Sequence, residues 1–506
     1  MKSRETYFAQ AKSYFLFSLV LFFLLIYTEA CEKEPLLETD LTELMTMEAF
    51  DIKANSFKTG GVIIDDGNSE IISKGICWDT LPNPTIEKNK LETGQGDKNF
   101  TALINGLKDG TRYYVRAYAT NVLGTSYGNE IETSTIGSIA YKGDLIIESQ
   151  EELDIIFRQN ISRIEGNLAL MYSVNAESNI LSLKSMLSLV EITGNFIIGN
   201  SGMLQNLQGL NHLVNIGGDL IVFSNDELKD FHGLSALRQI GKSLIVRSNE
   251  KLSSLEGLQA IESIGKNLSL LKNRQIKTLS GLPEKFLVNG SIIINSNPSL
   301  DDLDGMQGLD MIGKNLTLSN NPELKSLGGL SYLQRINGSL NIDNNDKLVS
   351  LKGLNQLEAI GENILLNDNA KLENIKDLNH LVDLGGNLKV DFNPKLRNLE
   401  GLLGINEIKG DLYIDFNDRF VDLTGLDSLI SIKGSLNVVR NKGLKSLRGL
   451  DHLESIHSGV HIISNASLTD YSALEKPIKN GLPVYDVYSN KFNPSLSQAL
   501  NGHLKP

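Results

Sequence analysis

Residues 249–272 read NEKLSSLEGLQAIESIGKNLSLLK, and the same pattern returns every 24 residues over most of the chain. The clearest marker of the repeat is an asparagine, which Asn175 and Asn200 extend upstream at intervals of 25. The members spaced by 24 are Asn225, Asn249, Asn273, Asn297, Asn321, Asn345, Asn369, Asn393, Asn417, Asn441 and Asn465. A fixed period of this length predicts an array of stacked structural units.

The unit ends in Leu-x-Ile, as in Leu340–Ile342 and Leu412–Ile414, and this period of two predicts a short strand with its apolar side inward. The leucines before it recur every three residues, which favours short straight segments around a coil over a helix. Asparagine tolerates left-handed turns and stacked amides can bond to each other, so we expect the asparagines to form a corner ladder. Glycines such as Gly233, Gly257 and Gly353 are expected at other corners. The sequence therefore predicts a solenoid of 24-residue coils.

The Gly-Leu, Ile-Gly-x-x-Leu-x-Ile and Asn elements of this repeat resemble the receptor L-domain family across residues 165–475. The resemblance implies a right-handed, leucine-rich β-helix that binds an extracellular ligand or mediates adhesion without catalysis. The array is longer than one receptor L domain and lacks the cysteines that usually border such a domain. The resemblance therefore implies no particular receptor partner.

Residues 40–136 alternate apolar and polar positions in short runs between turn signals, which predicts a β-sandwich. The stretch Leu107–Asn121 (LKDGTRYYVRAYATN) resembles the E–F corner and F strand of fibronectin type III domains. That resemblance implies that Tyr113 is a corner tyrosine bonded to upstream backbone. We expect Cys77 or Trp78 to lie in the core, with Cys77 an inert buried thiol. A sugar-stacking role for Trp78 is the alternative.

The chain begins with a basic segment followed by the apolar run YFLFSLVLFFLLIY at 14–27, which is too short for a comfortable membrane span and is typical of a signal peptide. The run ends in Thr-Glu-Ala-Cys31 and resembles a degenerate bacterial lipoprotein signal, with 1–30 as the signal peptide and 31–39 as a tether. This resemblance implies lipidation of Cys31. The following Glu-Lys-Glu resembles the export tract of Bacteroidetes surface lipoproteins and implies a lipid-anchored protein on the outside of the outer membrane. An ordinary cleaved signal or an uncleaved anchor is the alternative.

The two ends of the array need caps, because an open solenoid end exposes core and strand edges. Residues 137–164 are predicted to form a linker and an N-terminal capping helix, opened by a capping box at Ser149–Glu152. Leu153, Ile156 and Phe157 would share one face of that helix. Residues 476–506, in which Pro477, Pro483 and Pro494 interrupt the pattern, are expected to form an irregular C-terminal cap.

Bulk composition excludes several classes of function. The net charge of -13 over 506 residues, without a basic cluster, argues against a nucleic-acid partner. Two cysteines build neither a disulfide scaffold nor a cysteine zinc site. His212, His380 and His452 occupy the same repeat position in coils that are not adjacent, so we expect solvent-facing residues and no shared metal. No catalytic motif is found, and no cofactor is expected.

One cluster of outward positions differs from the rest of the array. Consecutive coils place Asp343, Asn367, Asp391 and Asp415 directly after the apolar residue of the strand, next to Lys389 and Tyr413 and to Phe392 and Phe416 at the corner. Like charges on neighbouring strands repel, so retained acids suggest a compensating partner, and the rings offer stacking surfaces. The predicted ligand-binding patch is Asp391, Asp415, Tyr413, Phe392, Phe416 and Lys389. The alternative is a solvated surface on which the two phenylalanines pack together.

These observations predict a non-enzymatic surface protein that binds a protein or glycan through an open solenoid face. A carbohydrate-active β-helix enzyme is a second hypothesis, and it predicts a groove with two acids, one of perturbed pKa. A structural spacer is a third, and it predicts no patch at all.

Overall fold

A computed structural model describes residues 39–137, 139–171 and 180–506. The predicted signal peptide, the lipidation site Cys31, most of the tether and Asn175 lie outside these described residues. The chain divides into two compact units, one centred on residues 57–105 and 113–133 and the other on residues 134–506. None of the described helices is long and apolar enough to span a membrane.

The first unit consists of two mainly antiparallel sheets. Its strands are β1 (Glu43–Phe50), β2 (Ser56–Asp65), β3 (Ser73–Asp79), β4 (Asn89–Gly94), β5 (Phe100–Asn105), β6 (Arg112–Asn121), β7 (Gly124–Tyr127) and β8 (Ile131–Ser134). One sheet has the order β1-β2-β5 and the other β4-β3-β6-β7, with β8 paired to β6.

Cys77 lies on the inward side of β3 and is fully buried, whereas Trp78 is half-buried. Burial raises the pKa of the Cys77 thiol to about 11, so it stays protonated and unreactive at neutral pH. The ring of Tyr113 is buried and packs against Phe57, with centroids 6.2 Å apart. The corner hydrogen bond of Tyr113 stays a prediction.

The second unit is a β-solenoid of about 14 turns. Its elements are β9 (Ile139–Lys142), β10 (Leu145–Ile147), α1 (Gln150–Phe157), β11 (Ile161–Glu165), β12 (Leu168–Met171), β13 (Glu191–Ile192), β14 (Phe196–Gly199), β15 (Asn215–Ile216), β16 (Leu220–Phe223), β17 (Gln239–Ile240), β18 (Leu244–Arg247), β19 (Ser263–Ile264), β20 (Leu268–Leu271), β21 (Leu287–Val288), β22 (Ile292–Asn295), β23 (Met311–Ile312), β24 (Leu316–Ser319), β25 (Arg335–Ile336), β26 (Leu340–Asp343), β27 (Ala359–Ile360), β28 (Ile364–Asn367), β29 (Asp383–Leu384), β30 (Leu388–Asp391), β31 (Glu407–Ile408), β32 (Leu412–Asp415), β33 (Ser431–Ile432), β34 (Ser435–Val439), β35 (Ser455–Ile456), β36 (Gly459–Ile463), α2 (Glu475–Lys479), β37 (Tyr485–Tyr488) and α3 (Leu496–Leu500). Short 3-10 turns occupy Lys184–Met186, Gly328–Leu330, Lys376–Leu378 and Ser472–Leu474.

The even-numbered strands from β10 to β36, followed by β37, form one continuous parallel sheet, which we call the main sheet. The short odd-numbered strands from β9 to β29 form a second sheet, and β31, β33 and β35 form a third. From β14 to β36, paired residues of the main sheet lie 24 positions apart in the sequence, so that Leu340 pairs with Ile364 and Asp343 with Asn367. In the main-sheet strands from β12 to β32 the first and third residues, such as Leu340 and Ile342, are buried. The second and fourth residues face outward, as the period of two requires.

The asparagine ladder is present and buried. The Asn345 side-chain amide donates to Leu318 O at 2.9 Å, to Asp343 O at 3.0 Å and to Asn369 Oδ1 at 3.5 Å. Its own Oδ1 accepts from the backbone N–H and the side-chain amide of Asn321. The ladder continues downstream to Asn490, which accepts from the Asn465 backbone N–H at 2.8 Å.

One part of the ladder prediction is wrong. The left-handed residue is the one before each asparagine, for example Asn344 with φ +52°, because the ladder asparagine itself must point into the core. The prediction that Asn200 belongs to the ladder is also wrong by one position. It has φ +56° and belongs to the left-handed column, while Ser201 occupies the ladder position and donates its backbone N–H to Asn225 Oδ1.

Glycine marks a second corner, as predicted. Gly353 has φ +119°, and a Cβ added there would lie 1.9 Å from the backbone oxygen of Leu327 in the preceding coil. Neighbouring backbones therefore approach more closely at this corner than any side chain allows.

Paired strands extend beyond the predicted limits of 165–475, because β9 and β10 already pair with β11 and β12, and β37 pairs with β36. The helix α1 therefore lies inside the first coil. Ser149 caps α1 by accepting from the Glu152 backbone N–H at 3.2 Å. The Glu152 carboxylate accepts from the N–H of Glu148, not of Ser149, so the capping box is displaced by one residue. Leu153 and Phe157 are buried, and Ile156 packs against the core.

Candidate functional site

The strands β30 and β32 bring the six predicted patch residues together on two neighbouring coils. Register pairing places Asp391 opposite Asp415 and Lys389 opposite Tyr413 on the outward side of the main sheet. Strands in one sheet lie about 4.8 Å apart, so the two carboxylates are neighbours across the coil boundary. Phe392 follows Asp391 at the left-handed corner, and Phe416 occupies the same position one coil later.

Asp391 faces outward in the strand alternation but is only 4% exposed. Its Oδ2 pairs with Lys389 Nζ at 2.9 Å, while its Oδ1 is buried and accepts no hydrogen bond from the described residues. Burial raises the pKa of this carboxyl, and the Lys389 ammonium opposes that rise. A buried acceptor atom without a hydrogen bond is costly, and the backbone N–H of Asp415 offsets part of that cost by favouring the ionised form of the carboxyl and so opposing the rise of its pKa.

Asp415 is the second acid of the pair. Its Oδ1 accepts from the backbone N–H of Val439 at 3.1 Å. Burial, helped by the charge of Asp391, raises its pKa to about 6. The two neighbouring carboxyls therefore lose their protons at a higher pH than free aspartic acid does, as expected for like charges in a partly buried site.

Asp343 and Asn367 occupy the same outward column but do not join this site. Asn367 Nδ2 donates to Asp343 Oδ1 at 2.6 Å, so the two side chains satisfy each other. The predicted run of four polar positions therefore divides into an amide–acid pair joined by a hydrogen bond and the acid pair of Asp391 and Asp415, whose partners are Lys389 and Val439.

Phe392 and Phe416 form a stacked corner. Their ring centroids are 4.3 Å apart with planes inclined by 11°, and the Arg440 guanidinium lies 5.0 Å from the Phe416 centroid. Phe392 is 46% exposed. Both residues are left-handed, with φ +52° and +53°. The left-handed conformation is unfavourable for a bulky residue by about 1–2 kcal/mol, and stacking of the two rings stabilises the corner by about 0.5–1.5 kcal/mol. Because the same corner is left-handed in the other coils of the array, the large aromatic side chains distinguish these two coils, and the backbone conformation does not.

Tyr413 is half-buried, and its hydroxyl donates to Asp411 Oδ2 at 3.1 Å. The pKa of Tyr413 is raised by burial and by this acceptor. Asp411 and Arg440 therefore belong to the site, although the sequence interpretation did not include them. Arg440 lies 24 residues after Phe416, so extension of the corner column by one coil could have found it.

The raised pKa of Asp415 predicts a pH-dependent stability. Between about pH 4 and 6 the folded chain keeps a proton that the unfolded chain has released, so stability falls as the pH rises through this window. Asp415→Asn should therefore stabilise the protein by about 1–2 kcal/mol at pH 7.5, after allowance for solvent screening, and by little at pH 4. Thermal melts at the two pH values test this, with the exposed Asp368→Asn as control. Equal effects of Asp415→Asn at both pH values would contradict the prediction.

The three repeat-position histidines each pair their Nδ1 with a backbone oxygen of the preceding coil, for His212 with Leu187 at 2.7 Å. His380 and His452 are exposed, as expected. His212 is only half-exposed, and burial lowers its pKa, so the prediction of a solvent-facing residue is wrong for this position. No group of three or more metal-ligating side chains occurs among residues 39–137, 139–171 and 180–506.

Comparison with known proteins does not identify a family. No family model and no curated protein matches the chain. Among solved structures, a myokine aligns with 19% of this chain and 98% of its own length at 14% identity and a TM-score of 0.16. Pectate lyase Pel3 from Pectobacterium carotovorum aligns with 88% of this chain and 90% of its own at 11% identity and a TM-score of 0.15. Pectate lyase PelI from Erwinia chrysanthemi covers 69% and 85% at 10% identity and a TM-score of 0.14. TM-scores this low leave the function to be argued from the chain's own residues.

Proposed function

We propose that this chain is a non-enzymatic surface protein that binds an extracellular protein or glycan on the outward side of its main sheet. The observation that carries the proposal is the pair of stacked phenylalanines at Phe392 and Phe416, whose rings lie at the corner beside the carboxylates of Asp391 and Asp415. A ligand with an apolar face would cover the exposed Phe392 ring. Its hydrogen-bond donors would bind the half-buried carboxylate of Asp415.

The rest of the proposal concerns placement at the cell surface. The resemblance of the first 31 residues to a lipoprotein signal supports a lipid anchor at Cys31 in the outer membrane. The arrangement of β1-β2-β5 and β4-β3-β6-β7 supports a fibronectin type III-like spacer between anchor and solenoid. An acidic surface without a basic cluster supports an extracellular ligand other than nucleic acid.

The binding patch can be tested with two sets of substitutions. Phe392→Asn and Phe416→Asn remove the rings and place in the left-handed corner a residue that the same column already has at Asn320 and Asn344. Asp391→Ser with Asp415→Ser removes the acids, and Tyr413→Ala removes the phenol. We expect each set to weaken binding on glycan and host-protein arrays at least about tenfold, while thermal stability stays equal or rises.

The matched control is Asp343→Ser with Asn344→Ser, which changes the same two columns two coils away. This control should bind like the wild type. Unchanged binding by all patch variants would remove the site from consideration, and it would favour a structural spacer if no ligand is found on either array.

A carbohydrate-active enzyme is the second candidate, and the pKa of about 6 at Asp415 beside the buried Asp391 is the observation that favours it. A carboxyl with a raised pKa next to a second carboxyl is a pair that acid–base cleavage of a glycosidic bond can use. Incubation of the protein with neutral and acidic polysaccharides, followed by chromatography of the products, distinguishes the two functions. Product release that Asp415→Asn abolishes would establish the enzyme in place of the binding protein.

The anchor is tested separately. Cys31→Ala should leave the folded protein intact but release it from the membrane fraction, because a lipidated cysteine would supply the acyl chains that hold it there. Fractionation and intact mass spectrometry measure this. Continued membrane association of the variant, with no lipid on the wild-type protein, would overturn the assignment of Cys31.

A further inference from the structure

The coil that contains β21 departs from the repeat. In the neighbouring coils the fourth residue after the corner glycine is apolar and buried, as at Ile261 and Leu309. In this coil that position is the exposed Lys285, and Phe286 is buried one residue later. The total length of 24 is kept, so the shift is local. Local departures from an otherwise consistent pattern are expected at functional positions.

The shifted coil leaves a depression of about 490 Å³ on the side of the solenoid formed by the odd-numbered strands. Phe286 and Leu309 lie at its base, and Leu287 and Tyr332 stand at its rim, 51% and 65% exposed. The volume lies within the range of small-molecule sites. Gly308 also lines it, at a point where a Cβ would lie 2.5 Å from the backbone oxygen of Glu284.

The polar groups around the depression are mostly uncommitted. Glu262 pairs with Arg238 at 2.6 Å, but within the described part of the chain no side-chain hydrogen bond or ion pair engages Glu284, Lys285, Asp310, Tyr332 or Gln334. These groups include both donors and acceptors. The carboxylates of Glu262, Glu284 and Asp310 carry three negative charges. Lys285 and Arg238 carry two positive charges, so the net charge around the depression is only one negative unit and the site has little preference for a polycation.

We propose that this depression is a saccharide-binding site, separate from the patch at Asp391 and Phe392. An exposed phenol ring offers a face for the C–H groups of a sugar ring, and the uncommitted carboxylates, amide and ammonium match hydroxyls that both donate and accept. An apolar peptide side chain would use the ring and Leu287 but would leave the surrounding polar groups without partners, which costs affinity. The site therefore favours a single sugar ring, at a chain end or within a glycan.

The test uses the purified full chain with methyl β-D-glucopyranoside, methyl β-D-galactopyranoside and N-acetyl-D-glucosamine as probes, and measures binding by saturation-transfer NMR. We expect transfer to at least one sugar, an affinity lowered about tenfold by Tyr332→Ala, and near-normal affinity for Tyr332→Phe, which keeps the ring. Tyr488→Ala removes another tyrosine, 53% exposed, and should change nothing. Gln334→Ala provides a second variant should Tyr332→Ala melt at a lower temperature than the wild type.

Three results would overturn the site. The first is binding by none of the sugars, including the case in which short peptides bind at Tyr332 instead. The second is an equal effect of Tyr332→Ala and Tyr488→Ala. The third is loss of sugar binding only in the Phe392 and Asp391 variants, which would assign the sugar to the main-sheet patch. If the Phe392 and Asp391 variants bind every array ligand like the wild type, the main-sheet proposal fails while this one stands, so the two sites fail separately.

Discussion

Asn345→Ala is expected to lower the free energy of unfolding by about 3–5 kcal/mol, because the substitution leaves several buried backbone and amide groups without partners. The Asn345 amide donates to Leu318 O and Asp343 O, and its Oδ1 accepts from the backbone N–H of Asn321. An alanine methyl replaces none of these bonds. The ladder continues on both sides, so neighbouring coils cannot relax without breaking further bonds of the same kind.

The adjacent residue provides the matched control. Asn344→Ala makes the same chemical change at a position that points away from the core, where its side chain bonds to Asn320 at 2.7 Å. We expect a loss of about 1 kcal/mol, mainly because alanine is disfavoured in the left-handed conformation. Urea unfolding followed by circular dichroism measures both variants. Similar losses at the two positions would show that the ladder is not a main source of stability.

Much of the solenoid could be predicted because one period determines every column. Once the asparagines are aligned at 24, the buried leucines, the outward strand positions and the glycine corner follow, and the parallel register confirms them. The position of the left-handed turn could not be separated from the asparagine next to it, since asparagine suits both roles. In the structure, tertiary burial assigns the amide to the ladder and leaves the turn to the residue before it.

The candidate site was predictable as a set of neighbours but not as a set of interactions. Register alone places Asp391 beside Asp415 and Lys389 beside Tyr413. The burial of Asp391, its pairing with Lys389 and the hydrogen bond from Tyr413 to Asp411 depend on the side-chain rotamers within each strand. A sequence pattern does not contain that information.

The depression near Tyr332 was missed for a different reason. Each of the coils involved keeps the length of 24, so the asparagine column passes through the irregular coil without a break. The signal is a lysine at 285 in a column that is otherwise leucine or isoleucine, followed by the large apolar Phe286. Such a displaced pair shows that the chain length of a repeat can be preserved while its core register is not.

Deletion of residues 321–344 should leave a folded, cooperatively unfolding protein, whereas deletion of residues 321–332 alone should destabilise it by more than about 5 kcal/mol. The longer deletion removes one coil and joins Asn320 to Asn345, so β24 can pair with β28, Leu316 replaces Leu340 opposite Ile364, and the ladder stays continuous. The shorter deletion takes half a coil and moves every following inward leucine out of its column at that point.

Several fully buried leucines would then lose their packing, each worth about 2–5 kcal/mol, and buried asparagines would lose their partners. Thermal melts and urea titrations of the two deletions measure the difference, with the wild-type chain as reference. Because the shorter deletion removes fewer residues and less buried surface, the amount of chain lost would by itself make it the milder of the two. Equal stability, or a more stable short deletion, would show that the 24-residue register does not hold the solenoid together.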